Sequence, residues 1–264
     1  MLTVASPSRI VCLTAETAEI LYALSAGDRV VGISGYTTWP PEARSKPKVG
    51  GYTTIHLDKV LGLKPDLVLA YSDLQADVVR DLIRRGVTVV TLNQRSLVEI
   101  LQAVQMIGAM IGKPADALRL VAMMEAAFGR VRASASVLPR RPRVYFEEWD
   151  DPLISGIQWV GELIDLAGGG DIFPELREGR TASERVVRAD EVIRRDPEII
   201  VASWCGKKVR PERIAQRPGW DAITAVKNGR IHEIKSAHIL QPGLSILNGL
   251  NRLHKIISDA AGSE

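Results

Sequence analysis

Residues 57–72 read LDKVLGLKPDLVLAYS, and residues 189–204 read ADEVIRRDPEIIVASW. Aligned without gaps, both segments have Asp at the second position, Val at the fourth, Pro at the ninth and an acid at the tenth, followed by an apolar run that ends in Ala. Each copy predicts a short helix and then a turn, because proline disfavours the αR conformation in the residue before it. The apolar run predicts a buried strand of a parallel sheet. The chain is therefore predicted to contain two copies of one α/β unit.

The segments around the two copies extend this repeat. Both halves have a predicted strand before the copy and another after it, at 9–13, 143–146, 87–92 and 230–234. Helices are predicted near 18–25 and 159–167, and they are followed by Gly27 and Gly168, which supply a left-handed helix stop. This alternation of strands and helices predicts an α/β fold with two similar lobes, each a parallel sheet flanked by helices.

The segment between the two copies predicts a helical connection. Ser96 is a predicted N-cap, and Glu99 completes a capping box three residues later. Pro114 suits the first position of a second helix that continues through 115–135, so the lobes are predicted to be joined by one long helix. The predicted domains are an N-terminal α/β lobe at 1–94, a helical linker at 95–138 and a C-terminal α/β lobe at 139–264.

Composition narrows the classes of protein that the chain can represent. Its 264 residues include 46% hydrophobic and 25% charged residues, which suits a globular protein of two domains. A net charge of +3 gives no support for nucleic-acid binding. No apolar run approaches the roughly 18 residues that would span a bilayer. The first residues lack the features of a secretory signal, so we expect either a trimmed mature form or a cytosolic protein.

The same survey argues against catalysis and against a metal site. The chain contains no GxGxxG, Walker A, GxSxG or HExxH motif, so we expect no enzyme activity, no catalytic residues and no catalytic cofactor. Its four histidines lack the spacing of a metal-ligand set. Cys12 and Cys205 fall in different predicted lobes, so no disulfide is expected. A two-lobed protein that captures a ligand fits these exclusions better than an enzyme.

Candidate ligand-binding residues follow the predicted strands, because ligands of open α/β sheets sit outside the carboxyl ends of the strands. Aromatic side chains are frequent there, and their rigid faces suit a large flat ligand. Trp39 and Trp220 lie close to prolines and are interpreted as loop-packing residues instead. The predicted ligand-binding residues are Glu16, Thr17, Tyr36, Tyr52 and Tyr71 in the first lobe, and Glu147, Trp149, Trp159, Trp204, Cys205 and His238 in the second.

Several of these candidates keep a second interpretation. Cys205 either approaches a soft metal in the ligand or is a small buried residue. Lys207 and Lys208 either meet a phosphate or carboxylate or are solvated. His238 is equally consistent with a core or surface histidine. Any of the aromatic residues can instead cap the core of its own lobe.

Four segments carry a resemblance to a known family: RIVCLTAETAEIL at 9–21, VGISGYTTWPP at 31–41, the copy at 57–71, and the stretch from ISG at 154–156 to Gly168 and Gly169. Together they resemble the substrate-binding proteins of ABC importers for cobalamin and ferric siderophores, with the closest likeness to cobalamin-binding proteins. The resemblance covers nearly the whole chain.

The resemblance implies a corrinoid ligand held between two lobes that close little, a periplasmic location and an ABC permease as partner. It also implies two surface acids that dock on basic residues of the permease, which match Asp58 and Asp190. The family usually has Glu there, and Asp reaches less far. The alternative interpretation is that both acids only favour the positive end of a helix dipole. We expect a monomer.

Two other functions remain open at this point. A ferric-siderophore or haem-binding protein of the same class is one, because Lys207 and Lys208 suit anionic ligands. A cytosolic protein that handles or senses corrinoids without a permease is the other. The missing signal segment and the Asp residues at the docking positions both favour this second alternative.

Overall fold

The computed structural model describes residues 6–262, and its internal contacts divide the chain into two units. Unit 1 comprises the described residues up to Met124 together with Pro242–Ser245, and unit 2 comprises Glu125–Gln241 and the described residues from Ile246 onward. The division falls inside the helix Pro114–Ala135, so each unit includes part of the segment predicted as a linker.

A four-stranded sheet forms the centre of unit 1. Its strands pair in the order β2-β1-β3-β4, and every pairing is parallel. The two central strands are fully buried, as expected for apolar runs covered on both faces. The strands are β1 (Ile10–Cys12), β2 (Val30–Ile33), β3 (Leu67–Tyr71) and β4 (Val89–Leu92); the helices are α1 (Ala15–Ala23), α2 (Leu57–Gly62), α3 (Ala76–Arg84) and α4 (Leu97–Met110).

The predicted helical connection is confirmed in detail. Ser96 accepts a hydrogen bond from the Glu99 amide, and the Glu99 carboxylate accepts one from the Ser96 amide at 3.0 Å, which forms the capping box of α4. After α4 the chain turns at Gly112, whose φ of +73° suits glycine. Helix α5 then begins at Pro114 and runs to Ala135. The first passage of the chain from unit 1 to unit 2 falls within this long helix.

Unit 2 repeats the parallel sheet and adds an antiparallel strand. Strand β5 pairs in parallel with β7 and β8, and β8 pairs in parallel with β9. Strand β6 pairs antiparallel with β5, which the sequence pattern did not predict. The strands are β5 (Arg143–Asp150), β6 (Leu153–Ser155), β7 (Gly170–Asp171), β8 (Ile199–Ala202) and β9 (Ile231–Glu233); the helices are α6 (Gln158–Leu166), α7 (Ala189–Arg195), α8 (Pro211–Ala215), α9 (Thr224–Lys227), α10 (Ser236–Ile239) and α11 (Ile246–Ala261).

The two copies of the repeat have the same turn. In each, a short helix ends before the proline, and the residue preceding the proline is left-handed: Lys64 has a φ of 48° and Asp196 a φ of 42°. This agrees with the expectation that proline excludes αR before it. The buried strand follows directly, as β3 in unit 1 and as β8 in unit 2.

The acid after each proline ties the turn to the neighbouring strand. Asp66 accepts a hydrogen bond from the Arg9 amide at 2.9 Å, and Glu198 accepts one from the Arg143 amide at 3.0 Å. Each acid also donates its own amide to the carbonyl of the same arginine. The shared acid of the two copies therefore has one structural role, and the predicted α/β repeat is confirmed.

One of the two predicted helix stops was assigned to the wrong residue. Gly168 has a φ of +93° and ends α6 as predicted. After α1, however, the left-handed residue is Ser25, with a φ of 52°, and not Gly27. Gly27 is required for a different reason, because a Cβ there would lie 2.5 Å from ring atoms of Tyr22.

Candidate functional site

Two tyrosines lie together at the carboxyl edge of the unit 1 sheet. Tyr71 ends β3 and is 5% exposed, and its hydroxyl donates to the Gln94 carbonyl at 3.0 Å. Tyr52 is half-buried and meets Tyr71 edge to face, with ring centroids 6.3 Å apart. Its hydroxyl lies 3.4 Å from Ser72 Oγ, and burial raises the pKa of this phenol. Both predicted tyrosines therefore contribute to one aromatic surface.

Gln75, which the sequence analysis missed, holds this surface in place. Its side chain is 1% exposed. Its Nε2 donates to the Tyr52 carbonyl at 2.7 Å, and its Oε1 accepts the Tyr71 amide at 3.0 Å. Nε2 also lies 3.4 Å from the Leu13 carbonyl, just after β1. One buried amide thus joins two strand ends and the loop of Tyr52. No sequence signal distinguishes it from a surface glutamine.

Glu16 and Thr17 lie in the first turn of α1 and are buried. Thr17 donates to the Thr14 carbonyl at 3.0 Å, and Thr14 donates to the Glu16 carboxylate. Glu16 is 2% exposed, and burial raises its pKa to about 7. Their predicted contact with a ligand stays a prediction. In the structure their hydrogen bonds are made within unit 1.

A second buried carboxylate on α1, Glu19, was not predicted. It accepts hydrogen bonds from the Ser245 amide at 3.0 Å and from the Ser245 hydroxyl at 2.6 Å. Burial raises its pKa to about 7. Glu19 thereby fastens the segment Pro242–Ser245 to the rest of unit 1. The Glu in the 9–21 motif was visible in the sequence, but its partner 226 residues away was not.

The loop after β2 exposes two aromatic residues. Tyr36, a predicted ligand residue, is 43% exposed. Trp39 is 56% exposed, so its interpretation as a loop-packing residue is wrong. Trp220, by contrast, is fully buried in unit 2.

In unit 2, Glu147 is fully buried within an internal ion pair. Arg217 donates to its two carboxylate oxygens at 2.5 and 2.9 Å, and Trp204 Nε1 donates at 3.2 Å. Burial raises the pKa of Glu147, while the Arg217 hydrogen bonds oppose this shift. The predicted ligand contacts of Glu147 and Trp204 stay predictions; in the structure these two side chains bond to each other, and Glu147 also pairs with Arg217.

A lysine lies close to the faces of two predicted tryptophans. Lys207 Nζ is 4.9 Å from the ring centroid of Trp204 and 5.4 Å from that of Trp149. It also donates to both carboxylate oxygens of Asp150, at 2.8 and 2.5 Å. This lysine is therefore already paired with an acid, which reduces its use for an anionic ligand. Trp149 is half-buried and donates to the Asp151 carbonyl at 3.0 Å.

The three remaining candidates of unit 2 lie in different surroundings. Trp159 is 2% exposed and donates to the Ile239 carbonyl at 2.8 Å, which places it in the core of unit 2. His238 lies half-buried on α10. Cys205 is exposed, and the pKa of its thiol is raised by partial desolvation and then by the Glu148 carboxylate. A thiol with a raised pKa is a poor metal ligand, because the thiolate is the binding form.

The two predicted docking acids occupy equivalent positions in the repeat but differ in charge environment. Asp58 and Asp190 are both exposed in the first turn of their helices, α2 and α7. Arg188 donates to both Asp190 oxygens at 2.9 Å, and these bonds lower the pKa of Asp190. Within residues 6–262 no salt bridge neutralises Asp58. Only one of the two acids therefore presents an uncompensated charge.

Two properties of the described residues bear on the class of site. Within residues 6–262, no group of three or more His, Cys, Asp or Glu side chains is arranged to hold a metal ion. In that same stretch, no helix is long and apolar enough to cross a membrane.

Two α/β units of repeated topology, with aromatic side chains at strand ends, are the architecture of a substrate-binding protein. The family model described as periplasmic binding protein matches residues 10–237. The chain belongs to this family, whose members are solute-binding proteins of ABC importers. The predicted resemblance and the predicted fold class are confirmed.

Particular relatives agree with this assignment. An uncharacterized ABC transporter substrate-binding lipoprotein, YvrC of Bacillus subtilis, is 29% identical over 95% of this chain and 80% of its own length. A cobalamin-binding protein of Halobacterium salinarum is 27% identical over 94% of this chain and 68% of its own length. Among solved structures, the periplasmic haem-binding protein RhuT of Roseiflexus sp. RS-1 has a TM-score of 0.83 and 23% identity, covering 96% of this chain and 99% of its own.

Proposed function

We propose that this protein binds a corrinoid and delivers it to an ABC importer outside the cytoplasm. The observation that carries this proposal is the likeness, over nearly the whole chain, to proteins named for cobalamin binding. The aromatic surface of unit 1 supports it, because rigid rings suit a broad, flat ligand with polar substituents.

The exposure of the side chains reduces the number of residues that we propose as ligand contacts. Residues that reach solvent without rearrangement are the better candidates, since the buried ones already bond within their own unit. We therefore propose a set in which Tyr36 and Tyr52 act in unit 1, and Trp149 and His238 act in unit 2. The Tyr71 ring packs edge to face against Tyr52 and helps to hold it in position. The set leaves out the buried side chains of Glu16, Thr17, Glu147, Trp159 and Trp204, and it leaves out Cys205 because the raised pKa of its thiol makes it a poor metal ligand.

The charges favour a corrinoid over an anionic iron chelate. A siderophore or a haem with its propionates needs free cations in the site. Lys207 is paired with Asp150, and Arg217 is paired with Glu147. Arg95 lies 5.8 Å from the centre of the Tyr71 ring and contacts Asp73 at 3.5 Å. These three cations are thus already compensated, whereas neutral amide substituents need no such partner.

The direct test is a titration of the purified protein with cyanocobalamin, haemin and a ferric hydroxamate. A ligand that binds the native state raises its stability, by about 2.7 kcal/mol at 100 times the Kd. We expect the unfolding temperature to rise with cyanocobalamin at lower concentration than with either iron compound. A rise with haemin or the hydroxamate alone would assign the protein to another ligand of the same class.

A variant pair tests the proposed contacts. Tyr52→Ala removes an aromatic face from the proposed site, and we expect its Kd for cyanocobalamin to rise at least about tenfold, corresponding to about 1.4 kcal/mol. Trp39→Ala is the matched control, because Trp39 is exposed and outside the proposed set. Isothermal titration calorimetry measures both. Equal affinity in the two variants would remove Tyr52 from the site.

A further inference from the structure

The segment 34–48 of unit 1, here called the 34–48 loop, is closed at its base. The Ile33 amide donates to the Pro47 carbonyl at 2.9 Å, and the Val49 amide donates to the Ile33 carbonyl at 2.9 Å. The Gly35 amide adds a third bond, to the Gly50 carbonyl at 2.7 Å. A loop of this length with joined ends is a compact Ω-loop, which presents a fixed surface.

The 34–48 loop has buried side chains that pack on unit 1 and an exposed aromatic side chain that faces solvent. Thr37 is 3% exposed and Ala43 is fully buried, so these two side chains anchor the loop to unit 1. The exposed side carries Trp39, the most exposed of the five tryptophans. An indole ring has an apolar face that a partner can cover while its N–H stays hydrated.

The charged residues of the loop are mostly cations. Arg44, Lys46 and Lys48 face a single acid, Glu42. Arg44 and Lys48 are exposed and Lys46 is half-buried. No salt bridge to any residue of the described range 6–262 compensates the three cations. The loop therefore carries an exposed tryptophan and three positive charges that no acid of the described residues compensates.

We propose that the 34–48 loop docks on the surface of a membrane that contains anionic phospholipids. Tryptophan is enriched at the headgroup level because its ring is apolar and its N–H is polar, and neighbouring Lys and Arg side chains are attracted to anionic headgroups. Trp39 inserts at the level of the headgroups, and Arg44, Lys46 and Lys48 contact the lipid phosphates. The protein remains outside the bilayer, held by one loop.

The composition of the loop favours a lipid surface over an acidic protein. A protein carboxylate at a fixed position is best matched by the planar fork of arginine, whereas a lysine is a flexible point charge. Two of the three cations are lysines, separated only by Pro47. A diffuse layer of phosphates meets such charges without requiring fixed geometry, and it also offers a place for the indole ring.

The test is co-sedimentation of the full chain with sucrose-loaded vesicles. Vesicles of phosphatidylcholine alone are compared with vesicles that contain 30% phosphatidylglycerol in 20 mM and 300 mM salt, concentrations chosen to span roughly 20 Å to 6 Å of screening length. We expect binding to the anionic vesicles in low salt and its loss in high salt. Equal binding to both compositions, or none to the anionic vesicles, would overturn the proposal.

Charge-reversal variants localise the surface. Since one cation near an anionic membrane is worth about fivefold in affinity, the double variant Lys46→Glu/Lys48→Glu is expected to lose at least about 25-fold. The matched control is Arg130→Glu/Arg132→Glu on α5, which changes the net charge equally at two exposed positions. If both variants lose the same affinity, net charge alone is responsible and the loop is not the docking surface.

The contribution of the indole is measured separately. Trp39→Ala is expected to weaken vesicle binding severalfold, and Leu118→Ala on α5 is the control, because it removes an exposed apolar side chain outside both proposed sites. All variants are checked by their unfolding temperature and by cyanocobalamin titration. Lipid binding that survives Trp39→Ala unchanged would overturn the role of the ring. Because the ligand titration is read independently, failure of the corrinoid proposal is distinguishable from failure of this one.

Discussion

At the scale of single residues, the most consequential finding is that helix α1 carries two buried carboxylates. Glu16 and Glu19 are 2% and 3% exposed, and burial raises the pKa of each to about 7. A folded-state pKa above the ordinary value of 4.5 means that the native state holds its proton more tightly than the unfolded chain does. Both groups therefore contribute stability below pH 4.5 that is lost as the pH rises toward 7.

This gives a pH-dependence with a defined sign. We expect the free energy of unfolding of the wild-type protein to fall between pH 5 and pH 8 by up to a few kcal/mol. Glu19→Gln keeps an oxygen that accepts from Ser245 and removes the titration, so its stability should fall less over the same range. Urea denaturation at a series of pH values measures both slopes.

The control for this experiment is Glu191→Gln. Glu191 is half-buried, and its hydrogen bonds to Arg194 and Arg195 lower its pKa to about 2, so it stays ionised throughout the range from pH 5 to 8. Its replacement should leave the slope of the wild type unchanged. A Glu19→Gln slope that equals the wild-type slope would show that Glu19 does not titrate in this range.

At the scale of the secondary-structure elements, the repeat shows what a sequence can predict. The helix, the proline turn and the buried strand depend on local rules, so α2–β3 and α7–β8 were predicted from 57–72 and 189–204 alone. The antiparallel strand β6 has no such pattern, because Leu153–Ser155 is only three residues long and too short to show a strand periodicity. Likewise, the partners of Glu147 and Glu19 are distant in sequence, so nothing local identified these acids as buried.

The same distinction explains which candidates of the site were anticipated. Aromatic residues after strands are visible in the sequence, and Tyr52 and Tyr71 do lie together. Whether an aromatic residue faces solvent depends on packing by distant segments. Trp159 and Trp204 are buried, although their positions after strands suggested contact with a ligand, and Trp39 is exposed, although its neighbouring proline suggested loop packing.

The repeat also provides a matched pair for a prediction about backbone strain. Lys64 is left-handed, which costs a residue with a Cβ about 1 kcal/mol, so Lys64→Gly should stabilise the protein by roughly 0.5–1 kcal/mol. Asp196 has the equivalent conformation, but its carboxylate accepts from the Thr224 amide at 2.7 Å and hydroxyl at 2.8 Å. Asp196→Gly should therefore destabilise the protein, since the loss of two hydrogen bonds outweighs the relief of strain.

Urea denaturation of the two glycine variants and the wild type measures this contrast. Lys64→Ala serves as the control for the side chain, because it removes the lysine and keeps the Cβ. If Lys64→Ala and Lys64→Gly are equally stable, the backbone conformation is not the source of the effect.

At the scale of the whole molecule, we propose that the charges of Asp58 and Asp190 determine how the protein binds a permease. We propose that Asp58 is the stronger contact, because Arg188 already compensates the charge of Asp190 with two hydrogen bonds of 2.9 Å. Asp58→Asn should weaken binding to the cognate permease in nanodiscs severalfold, and more than Asp190→Asn does. Arg188→Ala should strengthen binding, since it frees the Asp190 carboxylate for a basic residue of the permease.

Surface plasmon resonance in 50 mM and 300 mM salt measures these contributions, because a contact between exposed charges weakens as the salt concentration rises. Asp28→Asn is the control, since Asp28 is an exposed acid of unit 1 outside the repeat. If Asp58→Asn and Asp28→Asn have the same affinity for the permease, Asp58 does not contact the permease and only stabilises the first turn of α2. If Arg188→Ala strengthens binding while Asp58→Asn has no effect, docking depends on unit 2 alone, and the asymmetry proposed for the two acids is reversed.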